Sequence, residues 1–234
     1  MFDVIAFDAD DTLWHNENIF LHVQEKFSEM LESEEPHLVQ NTLSNTHIKN
    51  IKIYGYGVKG FILSMIETFI EIRRGQVGNN EVQQILDFGR EMLSAPVELI
   101  PNVFEVLNLL QREYFLMIIT KGDLVEQEKK ISRSGLVNFF KKIEIVSDKT
   151  GKTYKKILNR FKIERQRFLM VGNSMRSDIV PVVKIGANAV HIPYKTTWEH
   201  EKDHPHLDEG EFDVLENITL LPDLLKKKYG GKNF

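Results

Sequence analysis

Residues 2–14 read FDVIAFDADDTLW, and this stretch decides the fold. Apart from Asp3 the chain is apolar or small as far as Phe7, and at Asp8 it turns abruptly acidic. A run apolar on both faces suits a strand buried inside a parallel sheet, with carboxylates delivered at its C-terminal end. The same pattern returns beyond Pro96. Strands are predicted at Phe115 to Thr120, Ile143 to Ser147, Phe168 to Gly172 and Ala189 to Ile192, separated by amphipathic segments near Val103 to Arg112 and from Val125, Thr153 and Ser177. Strand and helix in strict alternation imply a parallel sheet covered on both faces.

Between about Glu17 and Ser94 the period changes. Apolar residues recur at helical spacing in ENIFLHVQEKFSEMLES, FILSMIETFIEI and EVQQILDFGREML, with no convincing strand between them. The expected architecture is an α/β, doubly wound, Rossmann-like core built from residues 1–14 and 96–234, interrupted after its first strand by an all-helical cap over residues 15–95.

Composition narrows the function classes. The chain has 234 residues, 42% hydrophobic and 27% charged, as an ordinary globular protein does. It has no cysteine, which excludes disulfides, thiolate metal sites and cysteine nucleophiles. A net charge of −4 without a basic stripe argues against a nucleic-acid partner. No apolar run reaches the roughly 20 residues of a bilayer-spanning helix, and acid arrives too early for a secretory signal, so no membrane partner and a cytoplasmic location are expected. The run Lys226 to Lys228 reads as the cationic last turn of a helix.

In open parallel sheets the loops after the strands gather at one crevice. Here they carry Asp8 and Asp10, Thr120, Lys149, and Asn173 to Asp178. Carboxylates, a hydroxyl, an ammonium and an amide on four strand ends are an inventory for phosphoryl transfer. Singly, each has a plainer reading: aspartates cap turns and helices, and a loop lysine is solvated.

Together these residues resemble the haloacid dehalogenase superfamily. DADDT at Asp8 to Thr12 is similar to its first motif, Thr120 after FLMII to its second, a lysine ahead of a helix to its third, and VGNSMRSD at Val171 to Asp178 to its acidic fourth in a Gly-Asn-Ser form. The insert matches only in position and helical character, as a first-type cap. The resemblance implies a magnesium-dependent phosphatase acting on a small phosphorylated metabolite. Asp8 would be the nucleophile that carries the phosphoryl group, and Asp10 the acid and then the base. Thr120 would bond a phosphoryl oxygen and a lysine would balance its charge. Asp8, Asp178 and the main-chain carbonyl of Asp10 would hold Mg2+, with Asn173 a weak or water-mediated ligand because many relatives carry Asp there.

Two lysines compete for the third motif in SDKTGKTYKK, and Lys149 is favoured over Lys152 because it lies nearer the strand end. The dehalogenases themselves lack an aspartate two residues past the nucleophile, so Asp10 favours phosphate. A sugar-phosphate mutase, a phosphonate hydrolase with Lys59 as its imine-forming cap lysine, and a non-catalytic binding protein on the same fold remain the alternatives.

Two other patterns carry less. Gly55, Gly57 and Gly60 spell G-x-G-x-x-G, but no second parallel strand comes after them to complete a dinucleotide-binding unit. His200, His204 and His206 lack the helical pairing of a zinc motif and read as an exposed polar loop.

Overall fold

The computed structural model describes residues 2–31, 35–76, 78–196, 198, 201, 207 and 210–230. It divides into two compact units. One comprises Met1–Glu17, Val97–Lys121 and Gln127–Phe234, and the other Asn18–Pro96 with Gly122–Glu126.

The first unit is an α/β structure around a six-stranded sheet in the order β3-β2-β1-β4-β5-β6. Its strands are β1 (Val4–Phe7), β2 (Phe115–Lys121), β3 (Lys142–Val146), β4 (Phe168–Gly172), β5 (Asn188–His191) and β6 (Asp213–Val214). Every pairing is parallel, and β1 lies between β2 and β4. Alternation along β1 feeds two separate cores. Ile5 and Phe7 pack with Leu116, Ile118, Leu169 and Val171 beneath α5 (Val103–Leu110) and α9 (Leu221–Tyr229). Val4 and Ala6 join Met117, Ile119, Phe168 and Met170 beneath α7 (Gly151–Phe161). Each large apolar side chain so buried contributes about 1.5–3 kcal/mol, which is why the central strands are apolar on both faces. Lys226, Lys227 and Lys228 fall in the last turn of α9.

Strand order reverses at β1, whose neighbours β2 and β4 lead the chain in opposite directions across the sheet. The crevice of a doubly wound fold lies outside the C-terminal ends of such strands. The segments leaving β1, β2 and β4 are therefore set at one edge of the sheet: the loop from Asp8, then α6 (Leu124–Arg133), and a π turn at Met175–Ile179 running into α8 (Val180–Val183).

Among its described residues the second unit is built on α1 (Glu17–Met30), α2 (Pro36–Tyr54), α3 (Val58–Ile72) and α4 (Asn79–Ser94). Its core contains Val23, Phe27, Val39, Leu43, Phe61, Met65, Phe69, Ile85 and Phe88. Three of these helices fall on the periodic segments of the sequence, whereas α2 is an addition. It is rich in Asn, Thr and Ile, weak helix formers, and tertiary packing of Val39 and Leu43 holds it. Ile51 to Tyr54 are thus the end of a helix and no strand precedes Gly55. Gly55 and Gly57 turn the chain between α2 and α3 at φ +76° and +109°. Gly60 lies in α3, where a Cβ would meet the Gly55 carbonyl oxygen at 2.8 Å. The three glycines serve a helix-to-helix turn. His200, His204 and His206 lie outside the described residues. Among the described residues no helix is long and apolar enough to cross a membrane.

Candidate active site

Asp8 comes directly after β1, and its amide donates to the Val171 carbonyl of β4 at 2.9 Å, extending the parallel ladder by one residue. Its side chain meets the Lys149 ammonium, which also donates to Asp178 Oδ1 at 2.7 Å. Asp178 Oδ2 in turn accepts from the Ser174 amide at 3.0 Å. Thr12 Oγ1 stands 3.2 Å from Asp8 Oδ2 and 3.3 Å from Asn173 Oδ1. Asp8, Lys149 and Asp178 are all buried.

Burial pushes the Asp8 carboxyl up to about 7; Lys149 opposes the rise and the neighbouring carboxylates of Asp178 and Asp10 add to it. Burial alone would depress the Lys149 ammonium, yet Asp178 and Asp8 outweigh it and hold it above its ordinary value. The cluster therefore concentrates more negative charge than one lysine neutralises. Carboxylate and amide oxygens in such a deficit suit a hard divalent cation. Among the described residues no three acidic, histidine or cysteine side chains form a metal-binding group, so a bound cation would draw further oxygens from the main chain, water or a ligand.

Asp10 occupies a different environment. Trp14 Nε1 donates to its Oδ1 at 2.7 Å, Gln127 Nε2 to its Oδ2 at 3.1 Å, and Lys130 Nζ to both oxygens at 2.8 and 2.9 Å. Gln127 Nε2 also reaches Thr120 Oγ1 at 2.7 Å, which links the end of β2 to the loop after β1. Asp11, beside it, is a structural residue with φ +62°. Its carboxylate accepts from the amides of Asn16 at 2.8 Å and Glu17 at 3.1 Å, closing the loop ahead of α1. Burial still drives the Asp11 carboxyl up to about 7 against those donors.

The turn that carries Asp178 is built by its neighbours. Ser174 caps it by accepting from the Ser177 amide at 3.0 Å. Glu201 accepts from the hydroxyls of Ser174 and Ser177 and pairs with Lys121, the last residue of β2. Burial works to raise the Glu201 carboxyl, but Lys121 and the two hydroxyls prevail and hold it down at about 2.

The structure thus brings Asp8, Lys149, Asp178 and Asn173 to one point, and joins Asp10 to Thr120 through Gln127. Of the two candidate lysines, Lys149 reaches the carboxylates; Lys152 is exposed on α7.

A family model for haloacid dehalogenase-like hydrolases matches residues 2–183. The chain belongs to that family. A haloacid dehalogenase-like family hydrolase from Xanthomonas campestris is similar over 96% of this chain and 95% of its own, at 33% identity and a TM-score of 0.84. The glyceraldehyde 3-phosphate phosphatase of Methanothermobacter thermautotrophicus is 28% identical over 132 residues, 53% of this chain and 58% of that protein. The chain spans about half the length of the curated relatives it matches. A Bacillus subtilis HAD-hydrolase crystallised bound to magnesium shares the fold, at 16% identity, a TM-score of 0.66 and coverage of 96% of this chain and 98% of its own.

Within this haloacid dehalogenase-like hydrolase, sequence reasoning passed over Thr12, Gln127, Lys130, Lys121 and Glu201. Gln127 and Lys130 stand three apart on the helix after β2, hence on one face, but which face meets the crevice is set by the phase of that helix. Glu201 carried no signal, since it lies 80 residues from Lys121 in a polar segment.

Proposed function

We propose that the chain is a magnesium-dependent phosphatase that hydrolyses a small phosphorylated metabolite through a phosphoryl group carried on Asp8. One observation carries the reading: a buried carboxylate at the end of β1 contacts a lysine shared with Asp178, and a second carboxylate two residues on is held by its own donors. Asp8 attacks phosphorus, an acyl phosphate forms, and the bond to the leaving alcohol breaks as Asp10 gives that oxygen a proton. Water then attacks the acyl phosphate, Asp10 takes the water's proton, and phosphate departs with Asp8 restored. Thr120 donates to a phosphoryl oxygen and Lys149 balances the charge that gathers on the others. Asp8, Asp178, Asn173 and the Asp10 main-chain carbonyl would hold magnesium, which when bound would supply positive charge to offset that of the carboxylates and the phosphate.

Asp10 favours phosphate over halide, because a halide leaves without a proton and an alkoxide does not. Phosphonate cleavage through an imine is disfavoured by Lys59, whose ammonium is paired with Asp123 at 2.9 Å. An imine-forming role would require that ion pair to break. The Methanothermobacter relative is named for glyceraldehyde 3-phosphate, so three-carbon sugar phosphates head the substrate panel.

The test is phosphate release from p-nitrophenyl phosphate and from that panel, with and without Mg2+, beside Asp8→Asn and Asp10→Asn. Release that needs the metal and disappears in Asp8→Asn supports the reading. Release by Asp8→Asn at the parental rate, or none from the folded parent on any member, contradicts it.

A further inference from the structure

The Asp10 carboxylate accepts donors on both oxygens from α6 as well as the Trp14 indole. Lys130 spans Oδ1 and Oδ2 and also donates to Asn16 Oδ1 at 3.1 Å, so one ammonium ties the head of Asp10 to the far side of its own loop. Gln127, one turn earlier on α6 and buried, touches Asp10 and Thr120 with the same nitrogen. Lys130 is itself largely withdrawn from water, with 18% of its side chain exposed, whereas its neighbour Lys129 is exposed. A solvated lysine would lose little by staying in water, so the position is set by what it holds.

A carboxylate has two torsions to fix, and donors arriving on both oxygens from different elements fix both. A proton donor must be aligned to within a few tenths of an ångström, and that alignment comes from the groups supporting it. We infer that Lys130, assisted by Gln127, is the positioning residue for Asp10, aiming its carboxyl at the leaving-group oxygen; the inference rests on the acid role proposed for Asp10. The two lysines that meet the catalytic aspartates then divide the work. Lys149 serves the nucleophile and Asp178, and Lys130 serves the proton donor.

Such a role has a signature that a merely structural ion pair lacks. Nitrophenolate departs without a proton, whereas poorer leaving groups depend increasingly on the acid. Lys130→Met should therefore lower kcat/KM for p-nitrophenyl phosphate less than about 3-fold, and for phenyl and p-methoxyphenyl phosphate by about 10-fold or more, a part of what a general acid contributes. Lys130→Arg should recover most of the loss on the poor leaving groups. Lys130→Gln, similar in length and uncharged, replaces the Met variant if that does not fold.

Asp10→Asn calibrates the series. If it steepens the dependence on leaving group and Lys130→Met lowers all three esters equally or not at all, the positioning role is overturned and the acid role stands. If Asp10→Asn leaves the dependence unchanged, the acid role itself fails and the inference falls with it.

Discussion

The Asp178 side chain occupies the space that a Cβ on Gly172 would need: such an atom would lie 2.6 Å from Asp178 Cβ and closer still to the carboxylate. The last residue of β4 is thus glycine because a catalytic-site candidate folds back over the strand end. The φ of Gly172 needs no glycine; only the close approach does.

Gly172→Ala should accordingly push Asp178 away from Lys149 and the Ser174 amide. The overpacking is expected to cost about 1–3 kcal/mol of stability, as extra carbon does in a packed site. Thermal denaturation checks the cost, and magnesium titration of phosphate release should show a weaker metal response.

Metal binding can be read without turnover. A cation that binds the folded state alone stabilises it by about 2.7 kcal/mol when present at 100 times its dissociation constant, and so raises Tm with its concentration. Magnesium should raise Tm of the parent, and the rise should shrink in Asp178→Asn. An equal rise in both proteins would remove Asp178 from the metal site.

Glu201 gives a dependence on pH with a definite sign. Its folded carboxyl lies near 2 against an ordinary 4.5, so it stabilises the fold above about pH 4.5, and this contribution vanishes as pH falls toward 2. At neutral pH the shift corresponds to about 3 kcal/mol. The Tm gap between the parent and Glu201→Gln should be widest above pH 5 and close as acid is added. A gap constant from pH 7 to pH 3 would show that ionisation of Glu201 contributes nothing to its hold on Lys121, Ser174 and Ser177.

In the helical unit, Gly60→Ala tests the turn between α2 and α3. The added methyl would sit 2.8 Å from the Gly55 carbonyl oxygen, and backbone cannot yield as a side chain does. A loss of about 1–3 kcal/mol is expected by chemical denaturation.

What could be read from the sequence was whatever is local or periodic. β4, predicted at Phe168 to Gly172, runs between those residues, because a short apolar run bounded by a turn leaves little choice. β6 escaped notice since two residues, Asp213 and Val214, have no period. α2 escaped because its composition disfavours helix and it is held by packing in the helical core. In the site, Lys149 could be preferred over Lys152 by its distance from a strand end. Lys130 could not be told from Lys129 without the phase of α6, and Glu201 meets Lys121 only once residues 80 apart are folded together.

The central claim is that Asp8 carries the phosphoryl group during turnover, and trapping that intermediate tests it most directly. The parent, mixed with Mg2+ and radiolabelled p-nitrophenyl phosphate and quenched in acid within one turnover, should retain label in the peptide containing Asp8, and Asp8→Asn should retain none. A parent that turns over while holding no more label than Asp8→Asn, or label mapped to another peptide, would contradict the account.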